Sequence, residues 1–464
     1  MKRSTISRRN FLKAAAMASL GTGLMAGQSR INLLQAALAA STDYSTLSDH
    51  KSLVCIYLFG GNDAYNMFVP NTAAGYTQYQ AARGPLAIPQ GLLHPVAGGD
   101  YGFHPSMPNV RTLFDAGQIG VLANVGTLLE PTDRVGYLTG TAAIPPDLFS
   151  HSHQTEMWQT NKPALAGLAQ NGWGGEMADL LQAANTNPQV PPTITLAGTN
   201  QWQSGAVTQQ MALNTYNGAE PFLFLADEPW PPWESARTQT WDNILAQGSN
   251  HLLADEAAQS FNRARDQIGV VRDGLAEAPA ITTVYNAANY FAAQLKIVAQ
   301  MISVREYLGM KRQLFFVALG NWDSHGNQLN DHAANLALLD DGLASFNANI
   351  NELGLQDSVV SFTMSEFGRT LTVNGDGTDH GWGTHCLLMG GAVAGGTVYG
   401  QMPTLTIGGI DDAGSAGRII PTTSLDQYAA TLGKWMNISS ADLNAIFPNL
   451  DLFPTADLGF IASR

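Results

Sequence analysis

The feature that most constrains this chain is a repeated junction. An apolar, β-branched run breaks off into a glycine-containing loop that carries acids or histidines. The clearest case spans Val359 to Val393. Val359–Met364 reads as a buried strand and stops on Ser365-Glu366-Phe367-Gly368-Arg369. A loop rich in Gly, Asn and Asp follows, then Asp379-His380-Gly381-Trp382-Gly383-Thr384-His385, then a second apolar strand over Cys386–Met389. Leu53–Phe59 ends in the same way on Gly60-Gly61-Asn62-Asp63, and Leu314–Leu319 on Gly320-Asn321-Trp322-Asp323-Ser324-His325. Continuous apolar runs are the mark of strands covered on both faces, so the pattern implies an α/β fold with a parallel sheet. Such sheets carry their sites on loops at the carboxyl ends of strands.

Those loops hold the candidate site residues. An Asp-x-His pair directly after a buried strand puts a carboxylate and an imidazole within reach of one cation, which marks Asp323 and His325. The alternative is a turn with a satisfied Asp and a solvent-facing His. At Asp63 the two preceding glycines permit a tight turn and close approach to a ligand, although the same Asp also suits a helix cap. The expected centre joins Asp63, Asp323, His325 and His380 around a divalent cation, with Glu366 and His385 as further ligands. Arg369, just past Glu366, is placed to steady an oxyanion bidentately or to form a structural ion pair. Phe149–Trp158 looks like a helix start, with Ser150 or Ser152 as its N-cap. A hydroxyl at a helix N-terminus is also where a phosphoryl or sulfuryl nucleophile gains from the helix dipole. His151 and His153 beside it are either ligands, supports for ligands, or surface groups.

The 464 residues suffice for one large α/β domain with insertions. Only 13% are charged, against 45% hydrophobic and 47 Gly, a globular composition with long loops. Residues 1–40 read as a removable targeting segment. Ser7-Arg8-Arg9-Asn10-Phe11-Leu12-Lys13 is a twin-arginine signal, a weakly apolar stretch follows, and Ala37-Leu38-Ala39 is a small-x-small cleavage site. That predicts export to the periplasm or beyond by the twin-arginine translocation machinery, with no membrane span in the mature protein. The segment holds six basic residues and no acid, so the formal charge of -14 becomes -20 without it. An acidic body disfavours nucleic acid as a partner and suits retention of a cation. Cys55 and Cys386 fall in predicted core strands, and either bridge if those strands are neighbours or stay as buried thiols.

Met107–Ala116 reads as a helix, Ile119–Val125 and Thr193–Leu196 as strands, Ile281–Leu308 as a long amphipathic helix, and Asp331–Leu353 as a crossover helix. Ser424–Phe447 reads as one or two short helices. Residues 171–280 are the least regular, and roughly 197–280 are expected to form an insertion or cap that shapes substrate access.

The segments GGNDAYN, WDSHGNQ, SEFGRT and TDHGWGTH, after SRRNFLK, resemble the domain-of-unknown-function 1501 (DUF1501) family across nearly the whole mature chain. The resemblance extends to Thr423-Ser424-Leu425-Asp426-Gln427-Tyr428. That family is grouped with the alkaline phosphatase and sulfatase superfamily. The resemblance implies an alkaline phosphatase-like three-layer sandwich over 41–464, a mostly parallel central sheet between helices, and one or two divalent ions (Zn, Ca, Mg or Mn) at its carboxyl edge. It places Asp63 at the superfamily's first-strand ligand, Asp323 and His325 at its Asp…His pair, and His380 at its late His-Gly ligand. Phe367 stands where a ligand His would follow Glu366, which leaves one metal position short of an imidazole unless His385, His151 or His153 completes it. Two functions follow. One is hydrolysis of phosphate or sulfate esters on an anionic small molecule or envelope polymer. The other is a non-catalytic binding or scaffold role on a retained fold. A metal-free esterase is disfavoured, since no G-x-S-x-G elbow occurs.

Overall fold

The computed structural model describes residues 42–163, 170–215, 218–219, 233–246 and 252–462. The expected targeting segment and part of the 197–280 insertion lie outside these residues. A nine-stranded sheet forms the centre. Its long strands are β1 (Lys51–Leu58), β2 (Ile119–Gly126), β3 (Arg312–Leu319), β4 (Val359–Met364) and β5 (Thr384–Met389). They lie in the order β2-β5-β4-β1-β3. Beyond β3 come Thr193–Thr195 and Met211–Ala212, while Val398–Tyr399 and Thr423–Ser424 pair with β2. Every pairing is parallel except those of β5, which runs antiparallel to both its neighbours.

Side-chain alternation divides the core into two layers. Val54, Ile56 and Leu58 of β1 face one way, with Phe315, Val317 and Leu319 of β3. They pack under α2 (Pro108–Asp115), α5 (Tyr290–Ser303) and α6 (Gln328–Glu352). Leu53, Cys55 and Tyr57 face the other way, with Phe362 and Met364 of β4. They pack under α4 (Trp173–Leu181) and α7 (Leu425–Trp435). Two helices not in these layers also matter: α1 (Ala73–Arg83) and α3 (His151–Thr160). The result is a three-layer α/β sandwich with helices on both faces, as the uninterrupted apolar runs required.

Several boundaries differ from the sequence reading. The helix expected over Ile281–Leu308 is confined to Tyr290–Ser303. Asn289 caps it by accepting from the amides of Phe291 and Ala292, and the preceding stretch is a loop whose Thr282 and Thr283 grip Glu352. In the 197–280 region the described residues include helices over Trp233–Ala246 and Leu252–Ala276. Cys55 and Cys386 are buried free thiols on β1 and β5, strands that β4 keeps apart. No described helix is long and apolar enough to cross a membrane.

One buried acid gives the fold a measurable pH signature. Asp426, at the start of α7, is fully enclosed. Burial pushes its carboxyl up to about 6, only partly offset by Asn161 and nearby amides. A folded-state value above the unfolded one means that this group's contribution to stability is fully present below pH 4 and is lost as pH rises toward 6. Relative to wild type, Asp426→Asn is expected to gain about 2 kcal/mol between pH 4 and pH 7, read from urea unfolding at each pH. An unchanged difference between the two proteins across that range contradicts the assignment.

Candidate metal centre

The register of the sheet assembles the site. Leu58 pairs with Leu319 and Tyr57 with Met364, so β1, β3 and β4 end level with one another. Their outgoing loops, which carry Asp63, Asp323 and Glu366, therefore lie side by side. β2 ends at the same edge, and its long loop delivers α3. Because β5 is antiparallel, its incoming loop delivers His380 to that edge as well. Two glycines allow the loops to touch. Gly60 has φ +125°, and a Cβ there would sit 2.3 Å from the Asp323 amide nitrogen. Gly61 has φ +88°, and its Cβ would strike the Phe367 ring at 2.4 Å.

Three imidazoles converge on Asp323. His325 Nε2 lies 3.0 Å from Asp323 Oδ1, His380 Nε2 3.4 Å from the same oxygen, and His151 Nε2 3.4 Å from Oδ2. His325 and His380 bring their Nε2 atoms within 3.0 Å of each other. Ligating atoms of His151, Asp323 and His380 all fall within 4.8 Å of one another. Each ring is held from behind. His380 Nδ1 is 2.7 Å from the Phe149 carbonyl oxygen, which can only accept. His151 Nδ1 is 2.9 Å from Glu366 Oε1, and His325 Nδ1 is 3.5 Å from Asp379 Oδ1. Protons on the Nδ1 atoms leave the Nε2 lone pairs facing the carboxylate. Imidazoles oriented by a backbone carbonyl or a carboxylate on the far nitrogen are typical of metal ligands. Ligands of a tetrahedral centre with bonds of about 2.1 Å lie roughly 3.4 Å apart, so the donor set and spacing fit a divalent cation.

Charge at the centre is arranged in the same sense. Burial would raise the Asp323 carboxyl, but the Arg369 guanidinium and the neighbouring histidines outweigh it and hold the group below the usual carboxylate range. The hydrogen bond to Glu366 raises His151 against the opposing effect of burial. Burial lowers His380, only partly countered by the Phe149 carbonyl.

Other expected site residues are placed differently. Asp63 is completely buried and forms an ion pair with Arg83 of α1. It also accepts from Gln328 of α6 and from the Asn66 amide. Its carboxylate is thus consumed by an internal cation and stands outside the imidazole cluster. His385 is buried on β5, where its Nδ1 accepts from the Asn124 amide, and burial drops it to about 4. Arg369 is wholly buried and donates to Asp323 Oδ1 at 2.9 Å, to the Gly60 carbonyl at 3.2 Å and to Thr378. It positions Asp323 and cannot meet an anion in solvent. Glu366 sits behind His151 and also takes the Gly60 amide at 2.8 Å. Ser150 is the N-cap residue of α3 but makes no capping bond, because its Oγ is 3.1 Å from Ser152 Oγ and 3.2 Å from His153 Nδ1. The strand-then-ligand pattern missed His151 as a direct participant. The loop between β2 and α3 is too long for that pattern to register, although a histidine at a helix start was its signal.

Beside this cluster lies an open cleft of about 610 Å³, lined by Phe59, Gly60, His151, Ser152, Thr155, Glu156, Gln201 and Glu366. Phe367 packs on the cluster, its ring stacked on His380 at 4.5 Å and tilted against His151 at 4.9 Å. An apolar wall therefore occupies the place where a further imidazole was sought.

A family model described as "Protein of unknown function (DUF1501)" matches residues 50–415. No curated protein matches the chain. Solved structures overlap it loosely. The lipoteichoic acid synthase LtaP from Listeria monocytogenes has 8% identity and a TM-score of 0.34, covering 88% of this chain and 79% of that one. The PsFucS1 sulfatase from Pseudoalteromonas sp. has 11% identity and a TM-score of 0.31, with 85% and 75% covered. The soluble domain of lipooligosaccharide phosphoethanolamine transferase A from Neisseria meningitidis has 10% identity and a TM-score of 0.34, with 85% and 90% covered. Overlaps this loose transfer neither residue roles nor activity.

The two kinds of acid and histidine are separable by stability. Asp63→Ala strands the Arg83 charge in the interior and is expected to cost on the order of 3–5 kcal/mol in chemical denaturation of the metal-free protein. His325→Ala, at the exposed rim, is expected to stay within about 0.5 kcal/mol of wild type. Equal losses for the two contradict the division between anchor and centre.

Proposed function

The chain belongs to the DUF1501 family, and from that premise we propose that it is an exported, metal-dependent hydrolase of phosphate or sulfate esters. The observation that best supports this reading is the convergence of three imidazole Nε2 atoms on one carboxylate beside an open cleft. His151, Asp323 and His380 would hold the cation, with His325 as the fourth donor. A donor set this rich in imidazole favours zinc over calcium or magnesium, which prefer oxygen. A bound cation of this kind supplies charge to a phosphoryl or sulfuryl oxygen and lowers the pKa of a coordinated hydroxyl or water. Among the described residues one such group is found, which favours a single ion.

The chain's own residues supply the rest. Ser152, the second residue of α3, presents its hydroxyl to the cleft at the positive end of that helix. Ser150 Oγ stands 3.1 Å away and His153 Nδ1 3.2 Å beyond it, a short path along which the Ser152 proton can leave. Glu366, Asp379 and the Phe149 carbonyl fix the imidazole orientations, and Arg369 fixes the carboxylate. Substrate would be an anionic small molecule or an envelope polymer. Export by the twin-arginine route is supported by the SRRNFLK segment and suits a protein folded with its ion in place.

The test uses metal-loaded protein and a panel of phosphate and sulfate esters, with metal content measured in parallel. Asp323→Ala and His380→Ala are expected to lose the ion and at least about 100-fold in kcat/KM, whereas Ser152→Ala keeps the ion and loses activity to a similar degree. A folded, metal-loaded protein inert toward the whole panel overturns the hydrolase reading and leaves the binding or scaffold role.

A further inference from the structure

We propose that the cleft beside the centre selects esters whose alcohol portion carries an ammonium group. This inference rests on the hydrolase reading and names the substrate class for that site. Besides His151, the charged side chains lining the cleft are two carboxylates, Glu156 and Glu366, and no Lys or Arg contributes to its wall. Glu156 lies one helical turn beyond Ser152 on the same face of α3, half-buried. Among the described residues its carboxylate has no ion-pair or hydrogen-bond partner. Glu366 is 2% exposed. Its Oε1 serves Gly60 and His151, but its Oε2 is buried with no hydrogen-bond partner. A carboxylate oxygen enclosed in this way is costly unless a ligand brings a donor or a positive charge to it.

Nearby cations are already committed. Arg369 and Arg83 are buried and paired with Asp323 and Asp63. Arg418 stacks on the Phe149 ring at 4.1 Å and donates to the His380 carbonyl at 3.1 Å. Lys162 pairs with Glu176. Beyond the cation of the centre and His151, the charge that balances Glu156 must therefore arrive with the ligand. Phe59, only partly buried, offers a ring to that ligand at the same wall, and aromatic faces attract alkylammonium groups. A substrate held at the centre by its anionic group thus meets, with the remainder, the Glu156 carboxylate and an aromatic ring, beside a wall that Glu366 leaves one acceptor short. A neutral sugar would find Gln201 and Thr155 for hydrogen bonds but would leave the Glu156 charge uncompensated.

Two matched probes decide this on metal-loaded protein: 4-nitrophenyl phosphorylcholine and its uncharged isostere, 4-nitrophenyl 3,3-dimethylbutyl phosphate. The cationic ester is expected to be preferred by about tenfold in kcat/KM, mostly through KM, and Glu156→Gln is expected to bring that ratio close to one. Calorimetric titration with choline chloride supplies a readout independent of turnover, with binding to wild type weakened in Glu156→Gln. Equal use of the two esters, or a preference that Glu156→Gln leaves intact, overturns the inference. If neither ester nor any simple phosphate or sulfate ester is cleaved, the hydrolase reading fails. The choline titration then still decides the ammonium site on its own.

Discussion

A single buried guanidinium sets the geometry on which this site depends. Arg369 ties the loop after β1, through the Gly60 carbonyl, to the loop after β3, through Asp323, and to the strand Thr378–His380 that leads into His380. Asp323 is otherwise half exposed, and a carboxylate at that position would rotate freely among several partners. Held by Arg369, it presents its oxygens to three rings at once. The same network runs inward. Thr378 Oγ1 donates to Gln328 Oε1 at 2.7 Å, and Gln328 donates to Asp63, which closes on Arg83. Two buried arginines thus anchor two aspartates, one for the fold and one for the centre.

The strands were legible in the sequence because burial on both faces forces uninterrupted apolar runs. β4 begins and ends where the pattern placed it, β1 begins two residues and ends one residue earlier, and β3 begins two residues earlier and ends as expected. The centre was legible in part. Asp323, His325 and His380, which the structure gathers into one cluster, stood out because each follows or precedes a strand by a few residues. Asp63 carried the same signature, yet its partner is Arg83, at the end of a helix that gives no local hint of reaching back to it. A carboxylate after a glycine pair looks the same whether a metal or an arginine awaits it. His151 arrives on a long loop, so strand-end reasoning undervalued it. Glu366 was found in the right place with a different task, since distance along the chain does not distinguish a ligand from the group behind one.

Electrostatics gives the arrangement a direction. Asp323, Glu366, Asp379 and Glu156 surround or border the imidazoles, while Arg369 and Arg83 are sealed beneath. The surface of the site is therefore poor in cations and rich in bare acceptor atoms. Such a place suits a divalent ion, and in the proposed reading the substrate's anionic group would meet that ion while its remainder meets acids. Phe367 adds an apolar surface against His380 and His151, and the open cleft that Glu156 lines lies beside them.

The central claim is that Asp323 and its imidazoles form a cation centre, and diffraction tests it most directly. An anomalous difference map of the protein isolated from its native compartment, or crystallised with zinc, is expected to show one strong peak between His151 Nε2, His380 Nε2 and the Asp323 carboxylate. A metal-exposed crystal with no peak there, or with its peak beside Asp63 instead, contradicts the account.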